Sequence, residues 1–250
     1  MQNCKLYLIL IVLAVFLNPA SAMDAQEVIR RADQQIRGET SRTELTMRIE
    51  RPRWTREMSL RAYTKGRDFS LIYVLSPARD RGTSFLKRRD EVWQWVPDIQ
   101  RVVRIPPSMM NQSWMGSDFT NDDLVRDASV VDDYTHSFLP DTVVDGEEAW
   151  RIEMVPKPQA PVVWERVVVW VIKENFIQRR SEFYDEDGVL VNLLYLEDVR
   201  EMGGRLIPTR WEMVPLEEEG HRTVMVYDDV EFDIPLDQGF FSQQNMRQIR

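Results

Sequence analysis

Apolar residues recur along this chain with two different periods. Between Asp24 and Gly38 they fall at Val28, Ile29, Ala32 and Ile36, the spacing of one helix face, with Asp24 placed as cap and Gly38 as stop. After Gly38 the period becomes two. Leu45, Met47 and Ile49 alternate with Glu44, Thr46, Arg48 and Glu50. Met58, Leu60 and Ala62 follow in the same way, and then Phe69, Leu71, Tyr73 and Leu75. One apolar face per segment is the mark of antiparallel strands. Further strands are expected over residues 82–88, 91–96, 101–105, 149–155, 162–172, 176–184, 189–196, 206–215 and 222–234. The breaks between them carry turn chemistry, as at Lys65-Gly66, Asp145-Gly146, Asp185-Glu186-Asp187-Gly188, Gly203-Gly204 and Glu219-Gly220. Such short links imply hairpins in a meander rather than crossovers through helices. The expectation is one mainly β domain over residues 23–250. Periodicity alone leaves open a sandwich or a curled single sheet that encloses an apolar groove.

Residues 105–125 depart from the strand pattern. Pro106 and Pro107 end the preceding strand, and Thr120 with Asp123 resembles a capping box, so a short helix is expected from about Asn121. Between these points lie Met109, Met110, Trp114, Met115 and Phe119. Loops are ordinarily polar and solvated, so a loop this apolar is expected to cover something.

The first 22 residues have a different character. Lys5 precedes an unbroken apolar run from Leu6 to Leu17, Asn18-Pro19 breaks it, and Ala20-Ser21-Ala22 supplies a small-x-small cleavage site. Twelve apolar residues are too few to span a bilayer, which takes ~20. A cleaved export signal over 1–22 is therefore expected. The single cysteine, Cys4, lies within it, so the exported domain would have no disulfide and would rely on its core.

Charge and candidate chemistry narrow the function. The net charge of −9 argues against nucleic acid as a partner. Residues 23–110 carry 18 Lys/Arg against 12 Asp/Glu, and residues 111–250 carry 13 against 29. That asymmetry produces either a two-faced molecule or simply two sets of solvated strand faces. With only His136 and His221, a His/Cys zinc site is not expected. There is no Gly-x-Ser-x-Gly elbow, no phosphate-binding glycine loop and no closed calcium loop. Acidic pairs such as Asp132-Asp133 are expected by chance among 41 acids. No catalytic residue, metal or cofactor is assigned. What the chain has in excess is soft and aromatic apolar surface, with eight Trp and twelve Met. Trp150, Trp164, Trp170 and Trp211 are expected to fill the core. Arg51, Arg53 and Arg56 cluster around Trp54, and Arg101 and Arg104 follow, so guanidinium groups border this apolar surface.

Several runs together resemble a known family. They are Arg51-Pro52-Arg53-Trp54, Pro77-Ala78-Arg79-Asp80-Arg81-Gly82-Thr83, Pro106-Pro107-Ser108-Met109-Met110 and, above all, Gln112-Ser113-Trp114-Met115-Gly116-Ser117-Asp118-Phe119-Thr120-Asn121-Asp122-Asp123-Leu124. Glu182-Phe183-Tyr184-Asp185-Glu186-Asp187-Gly188, Gly203-Gly204-Arg205-Leu206-Ile207-Pro208 and Phe240-Phe241-Ser242 agree with it. The chain is similar in these to the outer membrane lipoprotein-sorting proteins, relatives of the LolA carrier. The resemblance implies a curled antiparallel sheet forming an incomplete barrel, with a few helices as a lid over an apolar cavity. It implies a periplasmic carrier of lipid or acylated lipoprotein. It also implies an inner-membrane exporter of the resistance-nodulation-division (RND) type as companion, and an outer-membrane acceptor. On that reading Met109, Met110, Trp114, Met115 and Phe119 form the lid, and Met47, Met58, Leu60, Phe69, Leu71, Trp93 and Trp95 line the cavity. Arg51, Arg53, Arg56, Arg101 and Arg104 then meet a head group or a partner. The alternative, from another class, is a non-transporting accessory or sensor module of an exporter.

Overall fold

The computed structural model describes residues 23–126 and 130–248. The export signal expected over 1–22 lies outside the described residues. The first element is α1 (Ala25–Arg37), where the Asp24 carboxylate accepts the Glu27 N–H at 2.7 Å. Gly38 ends it at φ 67, where a Cβ would lie 3.1 Å from the Phe232 ring, so glycine suits both the backbone and the space.

Thirteen strands follow: β1 (Thr40–Arg51), β2 (Trp54–Lys65), β3 (Phe69–Ser76), β4 (Ser84–Arg88), β5 (Glu91–Val96), β6 (Arg101–Ile105), β7 (Tyr134–Val144), β8 (Glu147–Pro156), β9 (Arg166–Ile172), β10 (Gln178–Tyr184), β11 (Leu190–Met202), β12 (Arg205–Pro215) and β13 (Arg222–Phe232). They form one antiparallel sheet in the order β6-β5-β4-β3-β2-β1-β13-β12-β11-β10-β9-β8-β7. The chain thus enters the sheet at its middle and meanders out to one edge at β6. It then crosses to the opposite edge at β7 and meanders back until β13 pairs with β1. The edges β6 and β7 do not pair, so the curled sheet is an incomplete barrel. The loop singled out by its composition is the one connection that must bridge the two edges.

The register carries one apolar layer across the sheet. Met47 faces Met58 and Met225, Met225 faces Trp211, Trp211 faces Leu196, and Leu194 faces Ser181. This inner face is covered in two places. The crossing segment lays Met110, Trp114 and Phe119 on Met47, Ile49, Met58, Leu60 and Phe85. Helix α1 lays Ala25, Val28, Ile29 and Ala32 on Ile152, Met154, Val167, Val169 and Val171. Each Val or Ile so buried contributes roughly 1.5–3 kcal/mol against remaining exposed.

Strands β3 and β4 are buried on both faces. Phe69, Leu71, Tyr73 and Leu86 lie on the outer face beneath Phe241 and Met246 of the C-terminal segment, with Trp93 and Trp95 packed alongside. The Tyr73 hydroxyl donates to Asn245 O at 2.8 Å, and the Ser84 hydroxyl donates to Met246 O.

Three strand expectations change by more than two residues, one of them because the strand expected to end at Leu196 runs on to Met202. Strand β7 is absent from the expected set because it is an edge. Only Tyr134 is buried along it, the in-out alternation is lost, and Pro140 sits in a break of the β7–β8 register. The strand expected over 162–172 begins only at Arg166. The preceding residues form a loop after Pro161, and that loop carries Trp164.

Candidate functional site

A cavity of ≈ 190 Å³ lies where α1, the crossing segment and the second half of the sheet meet. Helix α1 contributes Ile29 and Ile36, and the crossing segment contributes Phe119 and Leu124. The sheet contributes Met154, Val167, Val169, Phe183, Leu194, Leu196, Trp211 and Met213. The polar groups on the wall are bound to one another or to neighbours. Asp33 is paired with Arg67 at 2.6 Å and with Arg37 at 3.3 Å. The Gln178 amide donates to the Ser181 hydroxyl at 2.7 Å.

Asp123 is held through both of its carboxylate oxygens. It opens a single π turn, Asp122–Arg126, through the reciprocal cap expected from the spacing. The Thr120 N–H donates to its carboxylate at 2.7 Å, and its own N–H donates to the Thr120 hydroxyl oxygen at 3.1 Å. The other carboxylate oxygen accepts the Trp164 indole N–H at 3.0 Å. Burial pushes this carboxyl up to about 6, against the pull of the Trp164 and Thr120 hydrogen bonds; Asp122 next to it adds to the rise.

A second space, an open groove of ≈ 610 Å³, lies beside the first. Pro107, Met110 and Thr120 of the crossing segment form one side, Pro161, Val162, Val163 and Trp164 another, and the Asp185-Glu186-Asp187 turn borders it. Cavity and groove have Trp164 in common. The Trp164 ring rests on Phe183, with centroids 5.1 Å apart.

Of the residues expected to meet cargo, Phe119 lines the cavity and Met110 the groove. Trp114 is fully buried against Phe85, with centroids 5.2 Å apart, and Met47, Met58 and Leu60 form the core beneath it. Met115 packs on the same core, while Met109 is 39% exposed. Phe69, Leu71, Trp93 and Trp95 face the outer side of the sheet, under the C-terminal segment. An alternating pattern has the same period whichever face turns inward, so it did not reveal this.

The arginines divide likewise. Arg51 pairs with Asp118 at 2.9 Å and donates to Gly116 O at 3.0 Å. Arg56 pairs with Asp80 at 2.7 Å and donates to Met115 O at 3.1 Å. Both therefore hold the crossing segment to the sheet. Arg53, Arg101 and Arg104 are exposed, with Glu91 3.2 Å from Arg104. Neither space is lined by any of the five.

Trp164 and Trp211, expected in the core, pack against it and also wall the cavity. The sequence signal for Trp164 was its place between Pro161 and the first β-branched run of β9. Asp118, Glu218 and His221 bring ligand atoms within 4.8 Å of one another, but the Arg51 guanidinium already neutralises Asp118. That set does not suit a cation. Among the described residues the cavity wall holds neither histidine nor cysteine, and most of its lining is apolar.

A family model described as "Uncharacterized protein" matches residues 66–248. No curated protein matches the chain. Among solved structures, the chain is similar to a DUF1329 family protein from Desulfovibrio piger. Identity there is 27% and the TM-score 0.81, covering 89% of this chain and 97% of that one. It is also similar to a protein described as an outer membrane lipoprotein-sorting domain from Vibrio parahaemolyticus, at 20% identity and TM-score 0.80, covering 90% and 98%. A LolA superfamily protein from Nitrosomonas europaea matches at 23% identity and TM-score 0.78, covering 89% and 99%. The last two likenesses establish the fold.

Proposed function

We propose a carrier function for this chain, which belongs to the family matched over residues 66–248 and has the LolA-like fold. It binds the acyl part of a lipid or of a lipoprotein in the periplasm and moves it toward the outer membrane. The observation that carries this reading is the apolar cavity held between α1, Phe119 and the inner face of β8 to β12. Each CH₂ moved from water into such a space contributes ~0.8 kcal/mol, so a chain of about a dozen carbons supplies on the order of 10 kcal/mol before ordering costs, which suits reversible binding. The 1–22 segment, with its cleavage site at Ala20-Ser21-Ala22, supports export. Phe119 is assigned to cargo contact. The exposed Arg53, Arg101 and Arg104 are assigned to a partner, an RND-type exporter on one side and an outer-membrane acceptor on the other.

A second reading has one observation in its favour. The cavity at ≈ 190 Å³ is smaller than the ~300–1,000 Å³ typical of ligand sites, as suits an accessory module that recognises a membrane partner without carrying cargo. Mass spectrometry of lipid extracted from protein purified without detergent separates the two. Stoichiometric lipid is the expected result; an empty protein that still binds an exporter would support the accessory role.

A further inference from the structure

We infer that cavity and groove are two chambers of one binding site, and that Trp164 is the gate between them. This deepens the carrier reading and rests on it. Trp164 is the residue that lines both spaces, and it separates ≈ 190 Å³ within from ≈ 610 Å³ outside. Neither volume alone makes a convincing site for an acyl chain, the first because it is small and the second because it is open. Joined, they fall within the ~300–1,000 Å³ of established ligand sites. The cargo class follows from the lining. Met110, Pro107, Pro161 and Val162 give the outer chamber apolar walls, and Phe119, Leu124 and Met213 continue them inside. An unbranched apolar tail fits this course.

The two sides of the gate differ in how firmly they are held. On the fixed side, Asp123 is locked by its reciprocal bonds with Thr120, and the crossing segment is anchored by Arg51 and Arg56. On the other side, Trp164 stands in the loop that precedes β9, outside any strand. It is kept in place by packing against the core under α1, by its contact with Phe183 and by one hydrogen bond to Asp123 at 3.0 Å. The hydrogen bond alone shifts the open–closed equilibrium by roughly 2- to 10-fold, so its removal should be read directly in the rate of opening.

The test is stopped-flow binding of N-phenyl-1-naphthylamine to the exported chain. The probe is uncharged because Asp185, Glu186 and Asp187 border the groove and, among the described residues, no basic side chain lines it. Trp164→Phe keeps the ring on Phe183 and removes the N–H; association and dissociation should both quicken roughly 2- to 10-fold. Trp164→Ala should quicken them further. A purely structural role would change Kd and Tm together and leave no such matched change in rates. Unchanged rates in a folded Trp164→Phe protein overturn the gate and leave the carrier reading standing. Wild-type protein that binds no probe overturns both. Should Trp164→Ala fail to fold, Trp164→Phe decides the matter alone.

Discussion

The Arg51 guanidinium lies 2.9 Å from the Asp118 carboxylate, with the two side chains only 10% and 5% exposed. Arg51 ends β1, and Asp118 lies in the segment that crosses between the sheet edges. The Thr223 hydroxyl of β13 completes the joint, donating to Asp118 at 2.6 Å while accepting the Asp118 N–H at 3.0 Å. Removing one partner of so enclosed a pair strands the other charge, at a cost of about 3 kcal/mol. Asp118→Ala should therefore lower stability by about that amount in urea unfolding. The double variant with Arg51→Ala should cost much less than the sum of the singles. Additive losses would show that the pair is not coupled.

Adjacent methionines should behave oppositely. Met110 is 4% exposed and Met109 39%. Met110→Ser removes buried volume and inserts a hydroxyl, for a loss of roughly 2–5 kcal/mol, whereas Met109→Ser should stay within about 0.5 kcal/mol of wild type. Equal melting temperatures for the two variants would contradict the packing of the crossing segment.

Phe241 is fully buried on the outer face of the sheet. Phe241→Ala should cost about 3–5 kcal/mol. Binding of an apolar probe measured below the melting transition should change less than twofold, because the cavity lies on the other face. A parallel loss of binding would place the C-terminal segment in the site.

Acid should act through Asp123. Its carboxyl is raised from 3.8 to about 6 in the fold, so the folded state prefers it protonated. The group's contribution to stability is then greatest below pH 3.8 and is lost as pH rises through about 6. His136 opposes this: burial lowers its pKa below 6.5, so its contribution falls as the pH drops. The difference between wild type and Asp123→Asn isolates the Asp123 part, and wild type should gain on the variant as pH falls from 7 to 5. Protonation also weakens the acceptor of the Trp164 N–H, so probe association should quicken below about pH 6 in wild type only. Asp122 beside Asp123, and Asp33 with Arg37 on α1, are the other charged groups of that wall. A wild-type rate that is flat from pH 7 to 5 would rule this out.

Much of the molecule follows from local pattern. The helix from Asp24 to Gly38, the hairpins at Gly66, Gly146 and Gly203-Gly204, and the Thr120–Asp123 cap are interactions between near neighbours, and residue type with spacing is enough to place them. The apolar crossing segment was legible for the same reason, as loop composition that no solvated loop would carry. Other features required the assembled sheet. Leu60 and Leu71 both read as the apolar face of a strand, but Leu60 faces the crossing segment and Leu71 faces Phe241. Trp164 became a wall of two chambers only when β10 brought Phe183 beneath it and the crossing segment brought Asp123 beside it. A period of two states that a strand has two faces and says nothing of which one turns inward. That choice depends on what comes to cover each face, and here the covering segments lie far away along the chain.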